Sequence, residues 1–401
     1  MREMKDSGIE WIGEIPKDWS IVAVKHCFNI SNGSDPITDE GEIPVYGSGS
    51  KSFKTCKEFK EGPTVLLGRK GTINIPQWIE NKYWNVDTAF DVQPKENYDL
   101  KLFYYCAVCF DYERYTTQTA LPSMTQGDYK NFKIPYMSFY EQQQIANFLD
   151  TQCSEIDATA EDIQKEISLL EDYKKSVITE AVTKGLNPDA EMKDSGIEWI
   201  GEIPKDWDIH PVYAYFEEGK TKNYRMQEQN LLSLSYGRII RKDINTNGGL
   251  LPASFNTYNV VEAGDIIIRP TDLQNDKRSL RTGLVKEQGI ITSAYIDLRP
   301  KKDVNSEYYH YLLHSYDIIK VFYNMGNGVR QGLNYSEFAK LLLLEPAQAE
   351  QQQIVDYLNA QCSEIDALIA DKKRQLDILA DYKKSLIYEN VTGKKEVPVN
   401  E

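Results

Sequence analysis

The sequence predicts a mixed α/β protein built from two copies of one plan, each copy a body of short strands and helices followed by one long helix. Two duplications carry this prediction. Residues 4–19 recur letter for letter at residues 192–207, and the Glu-Gln-Gln-Gln-Ile sequence at residues 141–145 recurs at residues 350–354. Because internal repeats set the architecture, we expect two units related by an internal pseudo-twofold axis.

The composition is that of a globular protein with room for two to three domains. The chain has 401 residues, of which 41% are hydrophobic and 27% are charged. No apolar run approaches the roughly 20 residues of a membrane-spanning helix, and the first residues lack the apolar core of a secretory signal. The six cysteines are scattered, which suits a reducing compartment. We therefore expect a cytoplasmic protein without a membrane segment.

The net charge of −15 disfavours a nucleic-acid partner only if it is spread evenly. The acid excess lies instead in the duplicated segments and in the long helices. Residues 220–286 hold 11 Lys and Arg against 6 Asp and Glu. Local charge decides where a polyanion binds, so the bodies remain compatible with DNA binding.

The duplicated segments 4–19 and 192–207, here called the entry segments, are rich in Gly, Pro and Trp. Gly and Pro interrupt regular structure, so we expect irregular backbone that braces each body against a helix. The tryptophans expected to anchor it are Trp11, Trp19, Trp199 and Trp207.

Each body alternates short apolar runs with turn signals, which predicts strands joined by glycine loops. The elements predicted in the first body are strands running into loops at 43–49 and 64–71, a helix at 98–110 and a closing strand at 132–135. Those predicted in the second body are strands at 230–235 and 264–269, a helix at 308–323 and a closing strand at 341–346.

The long helices carry apolar residues at every seventh position, which indicates a coiled-coil partner. The first stripe is Leu149, Ile156, Ile163, Leu170 and Val177, flanked by Ile145, Ile167 and Tyr173. The second is Leu358, Ile365, Lys372, Leu379 and Leu386, flanked by Ile354, Leu368, Ile369, Leu376 and Tyr382. Lys372 interrupts the second stripe where the first has Ile163.

The obvious partner of each helix is the other one, and the short link between the first helix and the second body favours an antiparallel pair. A parallel pair would require that link to return along a rod of about 60 Å. The predicted division is 1–140 (entry segment and first body), 141–185 (first helix), 186–349 (link, entry segment and second body) and 350–401 (second helix and tail).

These features resemble those of one family, the specificity subunits of type I restriction-modification systems. The shared marks are the Ile-Pro-x-x-Trp entries, the Glu-Gln-x-x-Ile helix starts and several loop sequences. The loop sequences lie at residues 44–48, 67–71, 87–90 and 122–123 in the first body and at 264–266 and 328–331 in the second. The likeness covers essentially the whole chain.

The resemblance implies a non-catalytic subunit with two target recognition domains separated by an antiparallel coiled coil. Each domain would read one half of a bipartite double-stranded DNA target, and the helices would set the spacing and dock two modification subunits. The resemblance also implies S-adenosylmethionine-dependent adenine methylation by those subunits. ATP- and Mg-dependent restriction subunits would join them. This chain itself would hold no cofactor.

The two bodies differ in sequence and length while their entry segments and helices are nearly the same. A palindromic target would need two equal readers. We therefore expect an asymmetric target with two unlike halves.

Contact with DNA needs Lys and Arg for phosphates, and Arg, Lys, Asn, Gln, Ser or Thr at base edges. The first body offers a lysine row (Lys51, Lys54, Lys57 and Lys60), then Arg69, Lys70, Thr72, Gln118, Ser123, Thr125 and Gln126. The second body offers Lys222, Arg225, Arg238, Arg241, Lys277, Arg278, Arg281, Asn327, Arg330 and Gln331. Taken singly, each is better explained as solvated surface. Clustered in glycine-bearing loops, they favour phosphate contact.

The sequence has only incomplete matches to catalytic and metal-binding motifs. The sequence at residues 47–52 lacks the Gly that precedes Lys in a phosphate-binding loop. Cys106 and Cys109 have no second pair, and His310 and His314 have no acidic residue at metalloprotease spacing. We therefore expect no catalytic residue and no metal. A protein-interaction scaffold with two peptide-binding bodies, and a nuclease with unrecognised carboxylates, remain the alternatives.

Overall fold

The computed structural model describes residues 2–95, 97–115, 122–244, 254–271, 273, 280–325 and 332–398. The chain forms two compact units. Unit 1 comprises Met1–Gln164 with Lys373–Glu401, and unit 2 comprises Lys165–Lys372. Each unit therefore takes the start of one long helix and the end of the other. The predicted division, by contrast, gave each long helix a segment of its own.

Unit 1 holds eleven short strands among its described residues. They are β1 (Met4–Asp6), β2 (Glu14–Pro16), β3 (Ser20–Ala23), β4 (Phe28–Asn32), β5 (Ile43–Tyr46), β6 (Lys54–Cys56), β7 (Thr64–Gly68), β8 (Gln77–Ile79), β9 (Trp84–Asn85), β10 (Ala89–Pro94) and β11 (Lys133–Tyr136). The helices that begin in this unit are α1 (Val24–Cys27), α2 (Leu100–Val108), α3 (Gln126–Asn131) and α4 (Phe139–Lys184).

The central sheet of unit 1 is antiparallel in the order β4-β10-β7-β8. A smaller sheet, β6-β5-β9, and the pair β3-β11 complete the body. Helix α2 packs on the central sheet through buried Leu102, Phe103 and Cys106. It begins after Asp99, whose carboxylate accepts a hydrogen bond from the Leu102 amide (2.8 Å), so the helix is two residues shorter at this end than predicted.

Unit 2 repeats this plan with one larger sheet. Its strands are β12 (Met192–Asp194), β13 (Glu202–Pro204), β14 (Asp208–Pro211), β15 (Phe216–Glu218), β16 (Leu231–Ser235), β17 (Arg238–Lys242), β18 (Asn259–Val261), β19 (Ile266–Ile268), β20 (Thr282–Leu284), β21 (Gly289–Ile291), β22 (Ile296–Pro300) and β23 (Leu342–Glu345). The helices are α5 (Val212–Tyr215), α6 (Ser306–Ile318), α7 (Tyr335–Phe338) and α8 (Gln348–Val391), with 3-10 turns at Tyr224–Met226 and Val321–Asn324.

The sheet β15-β22-β19-β20 of unit 2 matches the central sheet of unit 1 in strand order and direction. A second four-stranded sheet, β17-β16-β21-β18, stands where unit 1 has three strands. Helix α6 ends at Ile318, five residues before the predicted end, because Lys320 has a left-handed backbone (φ +67°) that a helix of L-residues does not continue through.

The two long helices run antiparallel, as predicted. Within unit 2, Lys174 Nζ lies 2.7 Å from Asp366 Oδ1 and Lys372 is paired with Glu166, so residue numbers rise along α4 as they fall along α8. The lysine that interrupts the second stripe therefore has a carboxylate partner on the facing helix. By length, α4 has 46 residues and α8 has 44, about 69 and 66 Å.

The predicted apolar stripes form the seam of this pair. Leu149, Leu358 and Leu386 are buried. The flanking positions Tyr173 and Tyr382 were predicted wrongly, since their side chains are 55% and 49% exposed. In each helix the next residue, a lysine paired with an aspartate of the facing helix, takes the inward position instead. Leu368, predicted beside the second stripe, is likewise 48% exposed.

The duplicated glutamate at the start of each long helix binds the last residue of an entry segment. In unit 1, Trp19 Nε1 donates to Glu141 Oε2 (3.2 Å). In unit 2, Trp207 Nε1 donates to Glu350 Oε2 (3.0 Å). Both tryptophans are 1% exposed, so a buried indole obtains its hydrogen-bond partner from the repeated motif.

The rest of each entry segment is more regular than predicted. Strands β1 and β2, and likewise β12 and β13, form short antiparallel hairpins. Trp11 is half-buried and packs edge-on against Phe110, with ring centroids 5.7 Å apart, whereas Trp199 is 46% exposed. The prediction that all four tryptophans anchor the segments is therefore wrong for Trp199.

None of the helices in the described part of the chain combines the length and the apolarity needed to cross a bilayer.

Candidate nucleic-acid interface

A tight glycine loop follows strand β7 in unit 1. A Cβ on Gly68 would lie 2.2 Å from the carbonyl oxygen of Thr72, so no side chain fits at this position. Gly71 has a φ of +83°, which favours glycine. These two positions explain the glycines of the Leu-Gly-Arg-Lys-Gly sequence, and between them the loop presents Arg69 and Lys70.

A second segment, residues 122–125, is fastened to this loop by backbone hydrogen bonds. The Gly71 amide donates to the Pro122 carbonyl (2.9 Å), and the Met124 amide donates to the Arg69 carbonyl (3.0 Å). Thr125 then caps helix α3, and its amide donates to the Asp128 carboxylate (2.7 Å), which completes a capping box. The two segments therefore form one preorganised surface.

A buried tyrosine supports the loop from beneath. Tyr129 of α3 is fully buried, and its hydroxyl donates to the Gly68 carbonyl (2.7 Å). Burial raises the pKa of Tyr129 above its ordinary value, because the phenolate would be desolvated. The hydroxyl therefore remains a hydrogen-bond donor at neutral pH.

The two segments enclose a cleft of about 290 Å³, here called the glycine-loop cleft. It is lined by Asn32, Arg69, Lys70, Phe90, Ser123, Met124, Thr125 and Gln126. Five of these residues were predicted as DNA contacts from the sequence, and the fold brings them together from segments more than 50 residues apart. Cations and hydroxyls on one concave surface can contact phosphates and base edges.

The cleft residues differ in how firmly they are held. Lys70 is exposed. The Arg69 guanidinium is 38% exposed and lies 3.2 Å from the Asp87 carbonyl oxygen. Gln126 is already engaged, since its Nε2 donates to the Ile30 carbonyl (2.6 Å) and its Oε1 accepts from Lys130 (2.8 Å). Gln126 therefore positions the cleft more than it offers free hydrogen-bonding groups.

Asn32 is an exposed lining residue that the sequence reasoning missed. It ends β4 and lies opposite Phe90 in the sheet register. Asn-Gly at residues 32–33 was a turn signal, but only the sheet order places it beside the glycine loop.

The lysine row does not join the cleft. Lys51 and Lys57 are exposed, and Lys54 is ion-paired with Asp39 (3.2 Å). Lys60 was wrongly grouped with them, because its Nζ is held 2.8 Å from Asp91 Oδ2 and 2.8 Å from Asn85 Oδ1. Thr72 is half-buried and, like Lys51 and Lys54, is not among the cleft residues. Gln118 lies outside the described residues.

Unit 2 has the same backbone hydrogen bond between two equivalent segments. The Leu333 amide donates to the Pro270 carbonyl (3.0 Å), as Met124 does to Arg69. Asn334 and Glu337 form a capping box at α7, where unit 1 has Thr125 and Asp128 at α3. The predicted contacts Lys277, Arg278, Asn327, Arg330 and Gln331 lie outside the described residues.

Arg281 is fully buried, which argues against its predicted contact with DNA. Its Nη1 donates to the carbonyls of Thr271 (2.6 Å) and Arg269 (3.2 Å), and its amide donates to Asp317 Oδ2 (2.8 Å). Arg281 therefore holds the backbone that leaves strand β19.

Three of the other predicted cations of unit 2 already contact protein groups. Lys222 donates to Asn259 Oδ1 (2.7 Å) and is half-buried. Arg238 lies 3.3 Å from Asp366 Oδ2, and Arg241 is paired with Glu287. An exposed ion pair contributes at most about 1 kcal/mol to stability. A phosphate can therefore displace Asp366 from Arg238 and Glu287 from Arg241.

Arg225 is exposed, with a left-handed backbone (φ +62°). Arg238 and Arg241 lie on β17, and Lys222 pairs with Asn259 of β18; β17 and β18 are the two edge strands of one sheet.

Of the cysteine and histidine pairs weighed in the sequence, Cys106 is buried and Cys109, His310 and His314 are half-buried. Cys106 is buried in α2, and burial raises its pKa. Burial lowers the pKa of His310 to about 3 and that of His314 to about 4. Both imidazoles are therefore neutral at physiological pH.

Comparison with known proteins agrees with this arrangement. Residues 16–169 match the model of the type I restriction modification DNA specificity domain. Over 293 residues the chain is 25% identical to the type I restriction enzyme MjaVIII specificity subunit of Methanocaldococcus jannaschii, covering 63% of this chain and 64% of that protein. The type I restriction enzyme EcoDI specificity subunit of Escherichia coli is 20% identical over 226 residues, covering 54% and 46%.

A solved structure from work on complex assembly and conformational transition of the type I R-M system has the same fold. It matches 95% of this chain and 99% of its own with a TM-score of 0.69 at 13% identity. The chain spans less than two thirds of the length of the two curated relatives above.

The α/β fold and the glycine-loop cleft are thus consistent with the match of residues 16–169 to the type I restriction modification DNA specificity domain. Over 63% and 54% of its length the chain is similar to two specificity subunits of type I restriction enzymes, which confirms the resemblance stated from the sequence.

Proposed function

We propose that this chain is the DNA-recognition subunit of a type I restriction-modification complex and is itself non-catalytic. The observation that carries the proposal is the glycine-loop cleft, where two cations and three hydroxyl- or amide-bearing side chains predicted from the sequence line one surface. Tight glycines, backbone hydrogen bonds and a capping box preorganise that surface. Preorganised polar groups are what base readout requires.

The charged and the polar residues of the cleft would have different roles in binding DNA. Arg69 and Lys70 supply the charge that neutralises phosphates and sets the register. Asn32 and Ser123 supply short polar side chains for base edges in a groove, whereas the Thr125 hydroxyl is engaged with Asp128 in the capping box. Phe90 is buried beneath them and fixes the floor.

Two unlike bodies support an asymmetric, bipartite target. Unit 2 has a four-stranded sheet where unit 1 has three strands, although the central sheets agree. The fastening of the two segments recurs in both units, so each body has a comparable recognition surface with different side chains. The antiparallel helices would act as a ruler that sets the spacing between the half-sites.

Two equivalent surfaces support docking of two modification subunits, which would methylate adenine with S-adenosylmethionine. Leu169 and Tyr173 of unit 2 are 68% and 55% exposed, and Ile378 and Tyr382 of unit 1 are 60% and 49% exposed. These pairs occupy the same positions of the repeat, because Asp-Tyr-Lys-Lys-Ser surrounds both tyrosines. ATP- and Mg-dependent restriction subunits would complete the assembly in the cytoplasm.

The test is binding of the chain, assembled with its modification subunits, to the duplex identified by mapping methylated adenines. Replacing Arg69 and Lys70 together by Ala should reduce the slope of log affinity against log salt by about 1 to 2, because counterions of one or two phosphates are no longer released. The matched control is Lys133→Ala, an exposed lysine on β11 outside the cleft.

Sequence changes in the two half-sites separate local from general effects. The double variant should lose discrimination at one half-site and keep it at the other. Equal loss at both halves would point to misfolding. Binding without salt dependence, or capture of peptides in preference to duplex DNA, would replace the proposal by the protein-interaction scaffold.

A further inference from the structure

A histidine and two carboxylates meet on the outer face of the strand pair β14-β23 in unit 2. Asp208 and His210 are two residues apart on β14, so they share one face of the strand. Glu345 of β23 lies opposite Asp208 in the antiparallel register. One ligand atom from each of the three lies within 4.8 Å of the other two.

The spacing of these atoms suits a small divalent ion. His210 Nε2 and Glu345 Oε2 are 3.3 Å apart. Two ligands of a tetrahedral zinc ion, with bonds of about 2.0 to 2.1 Å, are also about 3.3 Å apart. Asp208 is exposed, and its carboxylate needs to move by only about 1 to 1.5 Å to complete a set of three.

A second observation lies next to His210 of this cluster. Among the described residues, the buried hydroxyls of Tyr215 and Tyr309 have no hydrogen-bond partner. Their rings are 4.7 Å apart, and the Tyr215 ring lies 6.1 Å from that of His210. Tyr309 is 1% exposed. Unpaired buried hydroxyls are uncommon and costly, and water held on an ion in the cluster would offer them a partner.

We propose that Asp208, His210 and Glu345 form a binding site for a divalent transition ion, zinc being the best match. One imidazole and two carboxylates suit zinc, whereas calcium and magnesium take oxygen ligands only. Three protein ligands leave a fourth position for water. This inference departs from the expectation of no metal drawn from the sequence, and it is independent of the proposed function.

The site would tie together the two strands that lead into α5 and α8, and so stabilise unit 2 alone. The equivalent pair in unit 1, β3-β11, has Ser20 opposite Tyr136 where β14-β23 has Asp208 opposite Glu345. Val22 stands in the place of His210. Unit 1 therefore cannot form the same site, and the expected stoichiometry is one ion per chain.

The test is titration of the full chain, first stripped with a chelator, with zinc chloride in a calorimeter at pH 7.5, with cobalt(II) absorption as a second probe. We expect one ion per chain and a rise in the melting temperature when zinc is present. His210→Ala should abolish both effects. His26→Ala, which removes the exposed histidine of unit 1, should leave them unchanged.

Glu345→Gln provides a variant that keeps the shape of its side chain, and it should weaken zinc binding by more than about tenfold. His210 is about half exposed, so its variant should fold, which a circular dichroism melt without metal checks. Equal zinc uptake by the parent chain and by His210→Ala would mean adventitious binding and would overturn the inference. Absence of uptake by the parent chain would do the same.

Discussion

Each central sheet has a buried aspartate at the same position, and the two carboxylates differ in their hydrogen-bond partners. In unit 1, Asp91 of β10 accepts from Lys60 Nζ (2.8 Å) and from the Tyr83 hydroxyl (3.2 Å). In the described part of unit 2, both carboxylate oxygens of Asp297 on β22 lack a hydrogen-bond partner, and the Arg299 guanidinium is 3.9 Å away. Burial, together with the charge of Asp265, raises the pKa of Asp297 to about 7.

This difference predicts a pH-dependent stability for unit 2. A carboxyl whose pKa is higher in the folded than in the unfolded chain binds its proton more tightly when folded, so stability falls as pH rises from about 4 through 7. Asp297→Asn should therefore raise the free energy of unfolding at pH 8 by about 2 to 4 kcal/mol and change it little at pH 4.

Denaturant unfolding of the parent chain and the variant from pH 4 to 8 measures the effect. Taking the difference between the two removes the contribution of His310 and His314, whose lowered pKa values make stability fall at acid pH in both proteins. A difference that is independent of pH would show that Asp297 is charged throughout this range.

Replacing Arg281 and Arg238 in turn compares a buried structural arginine with a surface arginine. Arg281→Ala removes two hydrogen bonds from a fully buried side chain to backbone carbonyls and should lower the free energy of unfolding by about 2 to 4 kcal/mol. Arg238→Ala loses one exposed ion pair and should cost at most about 1 kcal/mol. Urea unfolding measures both, and equal costs would contradict the assigned roles.

At the scale of elements, the antiparallel helices are the part whose length carries function under the proposal. Adding one heptad to both at facing positions extends the pair by about 10.5 Å, close to three base-pair steps. The spacer between the half-sites should lengthen by about three base pairs, and both half-site sequences should stay the same. Mapping of methylated adenines reads out both.

The matched control adds the heptad to α4 alone. This variant shifts the facing ion pairs out of register, including Lys174 with Asp366, and should destabilise the chain rather than reset the spacer. An unchanged spacer in the doubly extended variant would contradict the proposal that the helices set the spacing between the half-sites.

Over the whole molecule, the two units present one repeated surface, which predicts a stoichiometry. Leu169→Glu with Tyr173→Ser should leave one modification subunit per chain instead of two. Ile378→Glu with Tyr382→Ser should do the same, and the combined variant should bind none. Mass measurement of the purified assemblies counts the subunits, and loss of both from either single-surface variant would contradict the equivalence.

Local patterns in the chain were enough to predict much of this architecture. Two repeated motifs defined the entry segments and helix starts, and heptad spacing with the short link predicted an antiparallel pair. Arg69 and Lys70 were recognisable because a glycine loop leaves a local signal, and Ser123 and Thr125 because they belong to a polar stretch. The same reasoning wrongly placed Tyr173 at the seam, because periodicity alone does not show that the lysine beside it finds a carboxylate on the facing helix.

Long-range contacts decided the rest. The sequence by itself determined a duplicated α/β chain with two unlike bodies and paired helices, since these depend on repeats and local spacing. Only the tertiary structure joined residues 68–72 to residues 122–125 in one cleft, added Asn32 and withdrew Arg281 into the core. It also set Asp208 opposite Glu345. Such pairings depend on strand order and register, which bring together residues that no local pattern connects.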